Sequence, residues 1–240
     1  MKLRIITGRH GVGKTHKVYS EIGHAVNSGH SSQILIVPEL FTHTAEQEIM
    51  KQLKLQGILS LQVLSPSRMQ ERIFDETGGR TLTRLDNQGR CMIIRKCINE
   101  HASEMGIYTH IYESHAFAEE LLAAISNFKQ CDITPEQLEA ALKNADSDTL
   151  LKSKLEVLYT VYKSYEDYMS GNYIDEESSI ALIIEKLPSS KLIRSSDIWI
   201  DGFDRFNSLN LRLIKALAEN AKSLTVTMTV CSETDDDSIA

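Results

Sequence analysis

The 240-residue sequence predicts an α/β fold: a parallel sheet carrying a phosphate-binding loop, interrupted by a large all-helical insertion. Three observations carry that prediction. Apolar strand runs alternate with helical stretches as far as about residue 85, the pattern of a parallel sheet with right-handed crossovers. A glycine loop, GRHGVGKT, lies between the first strand run and the first helical run. The strand pattern then vanishes and returns only with IWI and Asp201. The expected organisation is therefore 1–85 as the first part of the core, 86–190 as the helical insertion, and 191–240 as the return to the core.

Leu3 to Thr7 (LRIIT) is a short apolar run ending at a glycine, so it reads as a buried strand. From Lys14 to about Asn27 the period turns helical, with Val18, Ile22 and Ala25 on one stripe. Asn27 to Ser32 is small and polar, a loop. Gln33 to Val37 (QILIV) is a second strand closed by Pro38, and a helix is expected from Thr44 to Leu55. Leu61 to Leu64 is a third strand, and Pro66 to Phe74 starts another helix ahead of Gly78 and Gly79.

The insertion shows no strand pattern. Helices are expected over 87–103, 114–130, 135–143, 148–170 and 175–187, with Pro135 at a first helical position. The longest places Leu151, Leu155, Leu158, Tyr162, Tyr165 and Met169 at steps of four and three, a packing face. After Asp201 come a helix from Ser208 to Glu219 and a strand from Leu224 to Val230. The final ETDDDSIA reads as a frayed acidic end.

The formal net charge is −7, which argues against tight autonomous binding of nucleic acid, because phosphate neutralisation drives that binding. Cys91, Cys97, Cys131 and Cys231 form no CxxC, and no His stands at zinc-finger spacing. They read as free thiols in a reducing cytoplasm. Met1 to Thr7 is too short for a signal peptide, and no apolar run approaches the length of a membrane span. A cytoplasmic protein with no membrane contact is the expectation.

In GRHGVGKT the backbone amides of Gly8, Arg9, His10, Gly11, Val12 and Gly13 are expected to face the phosphates at a helix N-terminus. Lys14 would reach the β- and γ-phosphates, and the Thr15 hydroxyl would ligate Mg²⁺. The alternative is a chance match or a decayed loop kept for packing. Asp201, after three apolar residues, suits the metal-side carboxylate at the end of a neighbouring strand; a helix cap or turn residue is its alternative. Many hydrolysing loop enzymes follow that Asp with Glu, but here Gly202 follows, and the side chain of Asp204 is expected to point elsewhere. Thr42, His43 and Thr44 follow the second strand, and Ser65, Ser67 and Arg68 the third, all at the sheet edge where ligands bind. Thr42, Ser65, Ser67 and Arg68 are candidate contacts for a DNA strand, while Thr42 and Ser65 also suit plain helix capping. No Ser-His-Asp or Cys-His constellation and no nuclease carboxylate cluster is visible, and no catalytic residue is assigned.

Four segments, RIITGRHGVGKT, ILIVPELFTHTAEQEI, LQVLSPSRMQERIFDETGG and IWIDGFDRFN, together resemble the N-terminal region of the AddB (RexB) family, in the family's order across nearly all of the chain. AddB proteins are the non-motor partners in bacterial AddAB helicase–nucleases, related to UvrD/Rep-like helicases. The resemblance implies a RecA-like P-loop domain with an inserted helical subdomain, binding ATP and Mg²⁺ at Gly8 to Thr15 and Asp201. It also implies an AddA-like partner that is the motor, DNA in the complex, and a role in double-strand break repair and recombination. The family's nuclease domain and iron–sulfur cluster would lie beyond residue 240, so none of the four cysteines is assigned to the cluster. Family members often have Gln after VPE, where this chain has Leu40, and the upstream glutamine motif that holds adenine in UvrD-like helicases is absent.

The expected function is a nucleotide-binding, helicase-like domain with little or no hydrolysis of its own. An active ATPase or helicase, a small-molecule P-loop kinase, and a vestigial scaffold for the AddA-like partner are the alternatives.

Overall fold

The computed structural model describes residues 2–29, 32–53, 61–78, 82–144 and 149–230. Outside them lie His30 and Ser31 of the first expected loop, Gly79, the expected helix ends at 54–55 and 148, Cys231, and the acidic end. The elements begin with β1 (Leu3–Gly8), α1 (Lys14–Asn27), β2 (Ser32–Ile36), α2 (Thr42–Leu53), β3 (Leu61–Leu64), α3 (Pro66–Thr77) and β4 (Thr83–Arg84). Next come α4 (Asn87–Glu100), α5 (His115–Gln130), α6 (Pro135–Asn144), α7 (Thr149–Met169), β5 (Tyr173–Ile174) and α8 (Glu176–Lys186). The described chain closes with α9 (Lys191–Ser195), β6 (Ser196–Ile200), α10 (Ser208–Asn220) and β7 (Ser223–Thr229). Two compact units form: Met1–Gly78 with Ile183–Phe206 and Leu211–Ala240, and Gly79–Leu182 with Asn207–Asn210.

The first unit is a five-stranded, all-parallel sheet in the order β1-β7-β6-β2-β3. Both faces are covered, as parallel sheets require. Val18, Tyr19 and Ile22 of α1 and Ala45 and Ile49 of α2 pack on Leu35, Val37, Val63 and Trp199. Met69 and Ile73 of α3, Ile193 of α9 and Leu217 of α10 pack on Ile34, Ile198, Ile200, Leu224 and Val226. Each fully buried branched side chain contributes about 1.5–3 kcal/mol relative to exposure. A buried polar chain crosses this unit: the Trp199 indole N–H donates to Gln33 Oε1 at 2.9 Å, and Gln33 Nε2 donates to Asp197 Oδ2 at 3.1 Å.

The strands formed late in the chain slot between the early ones. β7 lies between β1 and β6, and β6 between β7 and β2. Registers place Gly8 opposite Thr229 and Ile200 opposite both Val226 and Ile36. The C-terminal ends of four strands therefore come together, which is where open α/β sheets bind ligands.

The expectation of a buried first strand is corrected. Among the described residues β1 pairs only with β7, so it is an edge strand, and Leu3 and Ile5 are 41% and 51% exposed. Its other face is held by Arg4, which pairs with Glu21 and lies 5.6 Å over the Trp199 ring. An apolar run alone does not separate a central strand from an edge one.

The second unit packs α4, α5 and α7 around Ile94, Ile98, Phe117, Ile125, Val161 and Tyr165. It is not all-helical. Thr83–Arg84 pairs in parallel with Tyr173–Ile174, two residues each, too short for any periodicity to register. The expected α7 face is also shifted: Val157 and Val161 are buried, whereas Leu151 is half exposed and Leu155 and Leu158 are only partly buried. The helix expected over 87–103 ends at Glu100 and continues as a 3₁₀ turn, Ala102–Glu104.

An ion cluster lies inside this unit. Lys129 Nζ donates to Asp175 Oδ2 at 2.6 Å, Ser178 Oγ at 2.7 Å and Glu166 Oε1 at 2.8 Å. Arg90 reaches Ser126 Oγ at 2.6 Å and the Tyr165 hydroxyl at 3.2 Å, and that hydroxyl donates to Asp175 at 3.0 Å.

Candidate functional site

The glycine loop follows β1 and opens α1, as the sequence predicts. Gly13 is the N-cap of α1 with φ 87°, in the left-handed region that favours glycine, and no side chain caps the helix. The first helical turn thus has no side-chain acceptor for its N–H groups, the condition under which a helix N-terminus suits an anion. Lys14 is folded over the loop, its Nζ donating to the carbonyls of Gly8 at 2.9 Å and Arg9 at 2.8 Å.

A cleft of about 710 Å³ opens beside the loop, large enough for a nucleotide. His10, Gly11, Gly13, Lys14 and Thr15 line it, together with Asp201. Gly8, Arg9 and Val12 are not on its wall; Gly8 acts through the backbone carbonyl that holds Lys14. Asp201 follows β6 with its N–H bonded to Ile36 O at 3.0 Å, which fixes it to the sheet, and it is only 3% exposed. Its Oδ1 accepts a 2.5 Å hydrogen bond from Thr227 Oγ1 of β7.

Gly202 has φ 80°, and a Cβ added there would stand 3.4 Å from Pro38 Cδ. The position after Asp201 is thus one that L side chains rarely adopt. Asp204, expected to point elsewhere, lines the same cleft, past a bend at Gly202. Glu48 of α2 adds a third carboxylate to the wall. Burial, then the charges of Asp201 and Glu48, push the Tyr19 hydroxyl up to about 12. Among the described residues, no group of three or more His, Cys, Asp or Glu side chains could hold a metal ion. A site for Mg²⁺ would therefore rely on one or two protein ligands plus substrate phosphates and water, the usual arrangement for that ion.

Sequence reasoning missed Tyr19, Glu48, Thr227 and Thr229 on this wall. Tyr19 lies one helical turn beyond Thr15 on α1, whereas Glu48, Thr227 and Thr229 are brought there by the packing of α2 and by the strand order, for which the sequence carries no local signal.

The four candidate DNA contacts do not line this cleft. Ser65 is fully buried and is the N-cap of α3, its Oγ accepting from Arg68 N at 3.2 Å. Thr42 is buried and donates to Glu39 O at 3.0 Å. Capping thus describes Ser65, which offers no surface to a ligand, whereas Thr42 bonds back to the preceding turn. Ser67 N donates to Glu39 Oε1 at 3.1 Å, so a carboxylate already sits at the start of α3. Burial works to raise the Glu39 pKa, but hydrogen bonds from Ser67 and Ser65 and the Arg68 charge outweigh it and hold the carboxyl below its ordinary value. Arg68 is exposed on a separate hollow with Glu46, Glu71, Arg72 and Asp75.

A Cys-His arrangement does exist in the helical unit, contrary to expectation. Cys91 Sγ is 3.9 Å from His115 Nδ1, and His115 Nε2 is 3.3 Å from Glu119 Oε1. Burial and the Glu119 charge raise the Cys91 thiol pKa, the opposite of what a nucleophilic cysteine needs. Cys91, Cys97 and Cys131 are free thiols. No helix among the described residues is long and apolar enough to cross a membrane.

The family model described as "ADDB, N-terminal" matches residues 5–239. The chain is 35% identical to the AddB-type subunit of the ATP-dependent helicase/deoxyribonuclease of Alkaliphilus oremlandii, covering 99% of this chain and 21% of that protein. It is likewise 35% identical to the same-named subunit of Alkaliphilus metalliredigens, over 96% of this chain and 20% of that one. The Staphylococcus haemolyticus counterpart is 32% identical over 98% of this chain and 20% of its own length. The chain spans about a fifth of the length of these relatives.

Proposed function

The chain belongs to the AddB N-terminal family, and from that premise we propose that it is the nucleotide-binding, helicase-like part of a helicase–nuclease subunit acting in DNA repair and recombination. The observation that carries the nucleotide reading is the meeting of Lys14, Thr15 and Asp201 on one cleft at the C-terminal ends of β1 and β6. That donor set fits a magnesium nucleotide. The loop amides from Gly8 to Gly13 and the Lys14 ammonium would hold the phosphates of ATP, and Thr15 and Asp201 would hold Mg²⁺, the latter through water. The bound ion would neutralise phosphate charge. The all-parallel sheet with the loop after one strand and Asp201 after another supports a RecA-like reading. The division into two units supports a core around an insertion, with cuts after Gly78 and Leu182 where the sequence reading has 85 and 190.

Hydrolysis by this chain is weak or absent in this reading. The residue after Asp201 is a left-handed glycine and carries no group to orient water. An active ATPase is the second reading, favoured by Asp204 and Glu48 on the cleft wall. Magnesium-dependent turnover at a helicase rate, lost in Lys14→Ala, would decide for it.

The relatives' names describe subunits of a helicase/deoxyribonuclease, which supports a partner subunit and DNA for the whole protein. An AddA-like motor subunit and a cytoplasmic location follow from the same reading. Ser67 and Arg68, at the C-terminal edge of β3, are the candidate DNA contacts with surface to offer.

A further inference from the structure

β6 and β7 are tied by two hydroxyl–carboxylate pairs that follow from their register. Asp197 lies opposite Ser223, and Ser223 Oγ donates to Asp197 Oδ1 at 2.5 Å. Four residues further along both strands, one step past the Ile200–Val226 pair, Thr227 Oγ1 donates to Asp201 Oδ1 at 2.5 Å. An even spacing keeps both pairs on one face of the sheet.

The two pairs differ in surroundings. Asp197 also accepts from Gln33 and sits at the N-terminal end of the sheet, away from the loop. Asp201 and Thr227 are each 3% exposed, lie at the C-terminal end, and both line the cleft that Lys14 and Thr15 line. The hydrogen bond engages Oδ1, and Asp201 itself lines the cleft. A carboxylate on a strand end has two soft side-chain torsions, and a short bond from a β-branched, buried hydroxyl removes that freedom.

We propose that Thr227 is the positioning residue for Asp201, fixing its carboxylate so that the second oxygen serves the magnesium side of the nucleotide cleft. This rests on the nucleotide reading given above and adds a residue to it. Partners that orient metal ligands in this way are worth about 10–100-fold in metal affinity when removed.

The test is equilibrium binding of a fluorescent ATP analogue to the 240-residue chain, with Mg²⁺ and with EDTA, for the parent, Thr227→Val, Thr227→Ser and Ser223→Ala. Thermal melts accompany each. Thr227→Val is expected to lose about tenfold or more of the magnesium-dependent gain in affinity while its EDTA affinity stays at the parent value. Thr227→Ser, which keeps the hydroxyl, and Ser223→Ala, which removes the pair at the other end, are expected to keep the gain. A full magnesium gain in Thr227→Val overturns the proposal. So does an equal loss in all three variants together with lowered melting temperatures, because that is a packing effect. A parent protein whose binding ignores Mg²⁺ overturns the metal-side reading itself, and is seen without any variant.

Discussion

Lys129→Met probes the buried ion cluster of the helical unit. The Lys129 side chain is 8% exposed, and its main partner, Asp175, is 0% exposed. Methionine replaces most of the aliphatic stem but leaves the carboxylate without its nearest cation. Breaking a buried pair by removing one partner costs about 3–5 kcal/mol. Asp175 retains the Tyr165 hydroxyl at 3.0 Å, the Ser178 amide at 2.8 Å and Arg90 at 3.9 Å. Those contacts place the expected loss at the lower end, about 3 kcal/mol near neutral pH.

The pH dependence has a definite sign. Burial pushes the Asp175 pKa up, but the Lys129 charge and the hydrogen bonds from Lys129 and Ser178 outweigh it and hold the group below its ordinary value. Its stabilisation is thus present above the unfolded-state pKa and lost as pH falls through the lower folded-state one. Without Lys129 the largest lowering cause is gone and the folded-state pKa rises from its depressed position. The penalty is then largest at neutral pH and shrinks as the group protonates. Urea melts followed by far-UV circular dichroism, from about pH 7 down through the ordinary aspartate range near about 4, should show the gap between parent and variant narrowing in acid. A loss below about 1 kcal/mol, or a gap that does not change with pH, would refute this reasoning.

Gly202→Glu places a side chain at φ 80° and should cost about 1–2 kcal/mol in a thermal or urea melt, with no gain in phosphate release. Ser65→Ala removes a buried N-cap and should cost about 1–2 kcal/mol, with Thr a better replacement than Ala. Glu39, held below its ordinary value, should keep its bonds to the start of α3 until the pH falls through that lowered pKa; an NMR titration of the side-chain carboxyl reads this directly.

The loop and its carboxylate were legible because their signals are local. GRHGVGKT carries its own context, a strand before and a helix after, and IWI followed by Asp201 ends a strand in plain view. Glu48 and Thr227 were not legible. They reach the cleft because β7 inserts beside β1 and α2 follows β2, and strand neighbours are set by packing across the whole unit. Tyr19, one helical turn past Thr15 on α1, carried a local signal and was missed. The exposed face of β1 was hidden for the same reason: LRIIT reads alike at the centre or the edge of a sheet. Asp204 was misplaced because the sequence reading did not foresee the bend at Gly202, whose φ is positive. Lys129 sits in the last turn of α5, where a lysine reads as a solvated helix end, and Asp175 reads as an ordinary cap until the fold buries the two together.

The central claim is that the cleft is a working magnesium-nucleotide site. Equilibrium binding of a fluorescent ATP analogue to the parent chain and to Lys14→Ala, each with and without Mg²⁺, tests it most directly. Binding that strengthens with Mg²⁺ and is lost in Lys14→Ala is the predicted result. A folded parent that does not bind the analogue, or a Lys14→Ala variant that binds as well as the parent, would contradict it.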